Sequence, residues 1–267
     1  MSKHRNIAYL ILFLLLLLII AYAFAKLTPY DPLKINLGER LNPPSVNHLC
    51  GTDELGRDIF SRILVGFSNT INVSVMALIS SFIIGVVIGS TAGSFYGSFL
   101  DRVFNWLAAI SFSLPFLLII AAVMSLLDKN LFNAYLVMTA IIWVSPARIM
   151  RAGIIKNKSV DFITTERAFG KPEWVILFRS LVPISISPAF IFSFKYFPEI
   201  IGMEAGLSFL GLGIQPPNPG LGKMIFDSIN YIHSAWWYAL FPSLLLFIIV
   251  LISNLIYSKL NVDDIKI

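Results

Sequence analysis

The chain of 267 residues is 57% hydrophobic and only 13% charged, with a mean hydropathy of +0.80; this excludes an ordinary soluble domain and reads as an integral membrane protein. The net charge of +5 comes from Lys and Arg flanking apolar runs, which argues for membrane spans and against a nucleic-acid partner. A single cysteine, Cys50, excludes an intrachain disulfide or a cysteine-based metal cluster, and His4, His48 and His233 are scattered, so no structural metal is expected.

Residues 7–25 are uninterrupted apolar sequence, long enough to cross roughly 30 Å of hydrocarbon at about 1.5 Å per residue. Lys3 and Arg5 before it resemble the basic start of a cleaved signal peptide. The apolar run exceeds the roughly 7–15 residues of such a signal, and Ala23-Phe24-Ala25 is a weak cleavage site, so the segment is read as a retained anchor. From 26 to 69 the chain is polar with balanced charge, Lys26, Lys34, Arg40, Arg57 and Arg62 against Asp31, Glu39, Asp53, Glu54 and Asp58, and the positive-inside rule allows this loop to lie outside. Its second half runs His48-Leu49-Cys50-Gly51-Thr52-Asp53-Glu54-Leu55-Gly56-Arg57-Asp58, in which Thr52 or Asp53 would serve as a helix N-cap. Ile59, Phe60, Ile63, Leu64 and Phe67 then share one helical face and read as an interfacial helix.

A second span is expected over 70–92. It carries Gly85, Gly89, Gly93 and Gly97 at four-residue spacing, a stripe that lets another helix approach closely. After Asp101-Arg102, the third span is predicted over 103–127 with Pro115 inside it. The backbone that this proline frees must find partners, which places the helix within a bundle. Asp128-Lys129-Asn130 separates it from a fourth span over 131–144. Seven bases follow, Arg148, Arg151, Lys156, Lys158, Arg167, Lys171 and Arg179, against Asp161, Glu166 and Glu173, and this bias puts the segment in the cytoplasm.

Within that segment, a helix starting after Ser159 or Asp161 would end at Gly170, suited to a left-handed C′ position. Pro172 would open a second helix with Trp174, Leu177, Phe178 and Leu181 on one face. A fifth span is expected over 184–209, containing Lys195, Glu199 and Glu204. Charges in a membrane helix cost roughly 2.5–3.5 kcal/mol each, so these should face protein or water. Lys195 and Glu199, at i and i+4, read either as a self-neutralised structural pair or as part of a polar pathway. An external segment over 220–234, interfacial Trp236-Trp237-Tyr238, a sixth span over 239–257 with Pro242, and a short cytoplasmic tail over 258–267 complete the chain. The units are then an anchor and external loop (1–69), a transmembrane domain (70–257) with a cytoplasmic loop (146–183), and the tail, with both termini in the cytoplasm.

Three motifs carry a family resemblance. Gly51-Thr52-Asp53-Glu54-Leu55-Gly56-Arg57-Asp58 resembles the signature after the first span of the C-type permeases of dipeptide, oligopeptide and nickel ABC importers. Glu204-Ala205-Gly206-Leu207-Ser208-Phe209-Leu210-Gly211-Leu212-Gly213-Ile214-Gln215-Pro216-Pro217 resembles the same family at the outer end of span five. The 161–183 stretch resembles its cytoplasmic "EAA" loop, with Thr165 and Glu166 where two alanines are usual and Val182-Pro183-Ile184 where Leu-Pro-Asn is usual.

The resemblance implies an all-α integral membrane protein with six transmembrane helices and a type I ABC importer permease fold, in a bacterial inner membrane. It implies a second, homologous permease, two ABC ATPase subunits and an extracytoplasmic binding protein as partners. Thr165, Glu166, Arg167, Ala168, Phe169, Gly170 and Pro183 would form the ATPase-coupling loop. No Walker A motif occurs, since Gly222-Lys223 is followed by Met224 without the required upstream glycine, so ATP and magnesium would be used by the partners and no cofactor bound here. No H-E-x-x-H or G-x-S-x-G motif supports a membrane hydrolase. An ion-coupled secondary transporter using Lys195, Glu199 and Glu204 would require matched charges in both halves, which the first three spans lack. Peptides are the expected cargo, nickel or a metal chelate the alternative.

Overall fold

A computed structural model describes residues 2–113, 115–127 and 130–265. Asp128 and Lys129, expected between the third and fourth spans, lie outside the described residues, as do the last two residues of the tail. The elements are α1 (Ser2–Lys26), α2 (Ile59–Ser94), α3 (Phe99–Ser113), α4 (Phe116–Leu126), α5 (Leu131–Ile142), α6 (Val144–Asn157), α7 (Asp161–Ala168), α8 (Glu173–Ile176), α9 (Val182–Phe194), α10 (Phe197–Phe209), α11 (Leu221–Ser228) and α12 (Trp236–Ile265). Among the described residues, five helical segments have the length and apolar character to cross a membrane, and the bent pair α3 and α4 makes a sixth if it counts as one span.

The bundle is built around α2. Its 36 residues make a rod of roughly 54 Å at 1.5 Å per residue, longer than the hydrocarbon is thick. The expected interfacial helix is a correction here: residues 59–67 are the first turns of α2 itself. Ile59, Ile63, Leu64 and Phe67 are buried and cannot lie on a lipid surface. The cap is also displaced, from Thr52 or Asp53 to Asp58, whose carboxylate accepts from the Ser61 amide at 2.7 Å.

The glycine stripe packs α2 on α6. A β-carbon at Gly89 would stand 2.3 Å from the Ala147 carbonyl oxygen, and one at Gly85 would stand 2.7 Å from the Pro146 ring. Gly85, Gly89 and Gly93 therefore remove side chains where α2 meets α6, whereas Gly97, counted in the same stripe, lies beyond α2 in a turn with φ +80° and has nothing within 4 Å of a β-carbon. α1 lies against α2 and α9, and α11 bridges α10 and α12.

Three expected spans change shape. The third is not one helix: Phe99–Ser113 and Leu118–Leu126 meet at 95°, with Pro115 as the N-cap of α4. Proline has no amide to continue the ladder and disfavours helix in the residue before it. The fourth does not stop at Val144 but runs with α6 to Asn157, so Arg148, Arg151 and Lys156 are helical. Arg151 makes a two-pronged ion pair with buried Asp101, at 2.6 and 3.0 Å.

The fifth begins much earlier than expected. Glu173–Phe194 is one membrane-length helix that passes Pro183 through a π turn over Leu177–Leu181; widening the preceding turn accommodates the proline ring. It then breaks at Lys195 and Tyr196 ahead of Pro198, and α10 follows as a separate helix.

Candidate functional site

Two polar constructions stand at opposite ends of α2. At its N-terminal end, residues 27–58 close into a compact loop tied by the Gly51–Asp58 run. Asp53 is fully buried; one carboxylate oxygen accepts the Leu55 and Arg57 amides, both at 2.9 Å, and the other lies 2.6 Å from Arg57 Nε and 3.3 Å from Arg62 Nε. Arg62 also donates to the Pro32 carbonyl at 2.9 Å. Asp58 caps α2 and pairs with His48 Nδ1 at 2.8 Å. Thr52 Oγ1 accepts the Asn42 amide at 2.8 Å and donates to the Glu39 carbonyl.

Gly56 holds φ +71°, and a β-carbon there would fall 1.7 Å from the Asn36 carbonyl oxygen. Gly51 has φ +75°. The signature thus folds inward: its residues satisfy one another and the loop backbone. Cys50 sits half-buried beside it, and burial, then the Asp58 carboxylate, pushes its thiol up to about 11.

At the other end stands a helical hairpin. α7 begins after Val160, which caps without a side-chain bond, so neither Ser159 nor Asp161 is the cap. It ends in a Schellman turn: the Lys171 amide donates to the Glu166 carbonyl at 3.2 Å and the Gly170 amide to the Arg167 carbonyl at 2.9 Å. Gly170 takes φ +76°, and a β-carbon placed on it would meet nothing within 4 Å, so backbone strain alone selects glycine there. Pro172, expected as the first helical residue, is instead the N-cap of α8, which starts at Glu173.

Charge staples close the hairpin. Arg167 forks onto Glu173 at 2.7 and 3.3 Å and donates to the Lys158 carbonyl at 3.2 Å. Glu166 takes Lys171 Nζ at 2.7 Å on one oxygen and Ser180 Oγ at 2.8 Å on the other. These donors, Lys171 first, hold the Glu166 carboxyl below its usual range. Lys158 reaches back to the Ser94 carbonyl at the end of α2, and burial, then Arg167, lowers its pKa.

Beneath the staples lies a separate small core, Met150, Ile154, Ile163, Ile176, Leu181 and Ala189, which joins α7 and α8 to α6 and α9. The outer face is apolar and bare: Phe169, Trp174 and Phe178 are 81%, 67% and 66% exposed. The expected single face of Trp174, Leu177, Phe178 and Leu181 is thus divided, since Leu181 is buried while Trp174 and Phe178 point away. Thr165 and Ala168 are exposed beside them, and Pro183 is exposed at the start of α9. The sequence pattern did not single out the staple partners Glu173, Lys171 and Ser180. Arg167 and Glu173 straddling the Gly-Lys-Pro turn is the one signal that could have found them.

In the bundle, Lys195 and Glu199 do not pair. Both are exposed, and neither forms an ion pair among the described residues, because the break between them destroys the i, i+4 register; the Lys195 ammonium instead stands 5.8 Å from the Phe192 ring centroid. Glu204 is separate again, buried in α10, accepting Thr70 Oγ1 and Ser208 Oγ, each at 2.7 Å. That makes it a tie between α10 and α2. Among the described residues no group of three or more His, Cys, Asp or Glu could hold a metal ion.

The multi-span helical bundle, with a stapled polar hairpin between its fourth and fifth membrane segments, shares its fold with a chain from inward-facing conformations of the MetNI methionine ABC transporter, with a TM-score of 0.56 at 18% identity over 74% of this chain and 94% of that one. Residues 85–261 match the family model described as binding-protein-dependent transport system inner membrane component, and the chain belongs to that family. Among its relatives, the glutathione transport system permease protein of Pectobacterium atrosepticum is 37% identical over 94% of this chain and 83% of its own length. The dipeptide and oligopeptide transport system permease proteins of Bacillus subtilis are 32% and 31% identical, each over 90% of this chain and over 76% and 79% of their own lengths.

Proposed function

We propose that this chain is one permease of an ATP-driven importer of di- or oligopeptides, paired with a second permease, driven by two ATPase subunits that dock on the 158–183 hairpin, and fed by an extracytoplasmic binding protein. The observation that carries the reading is the bare aromatic face of Phe169, Trp174 and Phe178 on a hairpin fixed to α6 and α9 by its own core. Exposed apolar surface on a rigid polar element marks a protein interface, and a rigid connection to two bundle helices lets movement of a docked subunit reorient them. Peptides are placed ahead of nickel by what the relatives' names say those proteins carry.

The test is a reconstituted complex. Trp174→Ala with Phe178→Ala should strip the ATPase subunits during purification and abolish binding-protein-stimulated hydrolysis and uptake together, with the permease still inserted. Full retention would remove the hairpin from the interface. In the same assay Gly170→Val should weaken retention about 5- to 30-fold, from roughly 1–2 kcal/mol of left-handed strain, whereas Gly170→Asn should be far milder. Equal behaviour of the two would show that the turn does not govern docking.

The proposed orientation puts the hairpin and both termini in the cytoplasm and the 27–58 loop outside. Cys50 is a poor reporter of this, since a thiol raised from 9.0 to about 11 has roughly a hundredth of the ordinary thiolate at neutral pH. Val46, 95% exposed, is the better site. Val46→Cys in a Cys50→Ala background should react with an impermeant maleimide in intact cells, and labelling only after membrane disruption would reverse the topology.

A further inference from the structure

Three irregular points of the membrane helices converge on one cavity. It has a volume of about 210 Å³ and is lined by Phe112 and Pro115 from the α3/α4 bend, Ser145 from just past the α5/α6 joint, and Tyr196, Glu199 and Met203 from the α9/α10 break. Tyr196, Glu199 and Met203 follow i, i+3, i+7 and so lie on one face of the chain entering α10.

The cavity lies level with the middle of the bundle. Below the break, Phe190 packs on Phe82 of α2 with ring centroids 5.1 Å apart; above it, Glu204 is bonded to Thr70 at 2.7 Å. The break at Lys195 and Tyr196 therefore falls between these two levels, near the midpoint of α2, which runs from Ile59 to Ser94. Interrupted backbone at that depth is tolerated only inside protein or beside a water-filled cavity. A carboxylate there must likewise face water or protein.

Glu199 is exposed and forms no ion pair among the described residues. Lys195 stands over Phe192, and the Arg148 guanidinium is stacked 4.2 Å from the ring centroid of Phe112. An unpaired carboxyl group that shares its cavity with a phenol and a serine hydroxyl among apolar side chains suits an ammonium group. We propose that Glu199 contacts the cargo during passage and receives its free amino group, the N-terminal ammonium of a peptide, with Tyr196 and Ser145 as hydrogen-bonding neighbours. This rests on the peptide reading above and adds to it a selective contact within the permease itself. Glu204, already satisfied by two hydroxyls, has no part in it.

The test uses the whole importer in proteoliposomes, with its binding protein outside and ATP inside, and compares a peptide with its N-acetyl form. Glu199→Gln should lower uptake of the free-amino peptide at least tenfold while changing the N-acetyl peptide less than twofold, and Glu199→Asp should recover much of the loss. Taking the ratio between peptides cancels selection by the binding protein, which is unaltered. An equal fall for both peptides, or no fall for either, overturns the proposal. Independently, Glu199→Cys in a Cys50→Ala background should react with a cationic thiosulfonate reagent in the cycling complex, and peptide should slow that reaction. An unreactive cysteine, or one indifferent to peptide while the peptide is being imported, overturns the proposal whatever the binding protein delivers. A wild-type importer that moves neither peptide sinks the peptide reading instead, and the cysteine reaction then still decides whether Glu199 faces an aqueous path.

Discussion

Asp53→Ala is expected to open the 27–58 loop and to cost about 3–5 kcal/mol, the usual penalty for removing one partner of a buried ion pair. The side chain is fully buried, and Arg57 and Arg62 beside it are only 7% and 4% exposed. Deleting the carboxylate leaves the buried Arg62 guanidinium without its anion and Arg57 with Glu54 alone, 3.1 Å from its Nη2, together with the Leu55 and Arg57 amides that Asp53 accepts. Asp53→Asn keeps an oxygen for those amides but turns an NH2 or a neutral oxygen toward the arginines, so it should be milder. Lys34 and Arg40 are exposed in the same loop and provide trypsin sites. Cleavage there should accelerate sharply in Asp53→Ala, and the unfolding midpoint of the detergent-solubilised protein should fall. Asp53→Ala combined with Arg62→Ala should recover part of the loss, since the cation left without a carboxylate is gone. Unchanged cleavage and midpoint in Asp53→Ala would mean that the loop is held by something other than this charge cluster.

The same cluster shows what the sequence could and could not reveal. The Gly51–Asp58 run was recognisable as a signature and as a helix entry, but which side chain capped α2 was not, because Thr52, Asp53 and Asp58 are all competent caps. Asp58 wins because the Gly51 carbonyl accepts the Ile59 amide at 3.1 Å and Asp53 is committed to the arginines. These are contacts between distant loop positions. The glycine stripe was legible because close helix approach demands missing side chains at a fixed spacing, and Gly85 and Gly89 meet α6 backbone and ring atoms as that rule requires. The helix, glycine turn and helix of the hairpin were legible for a similar reason, since only the backbone conformation at Gly170 had to be inferred.

Span boundaries were less legible, and proline is the reason in two of the three cases. Pro115 breaks its helix at 95°, whereas Pro183 is absorbed by a π turn and leaves a continuous one. A proline announces a missing amide but not whether neighbouring turns will widen to accept it. The expected Lys195–Glu199 pair failed with the boundary, because it presupposed an unbroken helix. Hydrophobic periodicity also could not separate Ile176 and Leu181, buried, from Trp174 and Phe178, exposed. All four satisfy a preference for leaving water, and only the bundle decides which find partners within the chain.

That division sets up the last expected result, in which docking and coupling come apart. Ile163 is completely buried in the small core that joins the hairpin to α6 and α9, while the bare aromatic face lies on the other side. Ile163→Ala should leave that outer face intact and cost about 2–5 kcal/mol in lost burial and cavity, depending on how far Met150, Ile154 and Ile176 collapse. The Arg167–Glu173 and Glu166–Lys171 staples would still hold the hairpin closed on itself. It would then remain a docking surface that no longer moves rigidly with the bundle. In the reconstituted importer, ATPase retention and hydrolysis should stay within about twofold of wild type, while peptide moved per ATP should fall roughly tenfold, equivalent to about 1.4 kcal/mol of lost coupling. Ile176→Ala should behave alike, because it removes the facing half of the same contact. The contrast is with Trp174→Ala and Phe178→Ala, which should lose hydrolysis and uptake together. An Ile163→Ala protein that keeps the wild-type ratio of peptide to ATP would show that motion reaches the helices by another route, most directly through Lys158 and its bond to the Ser94 carbonyl at the end of α2.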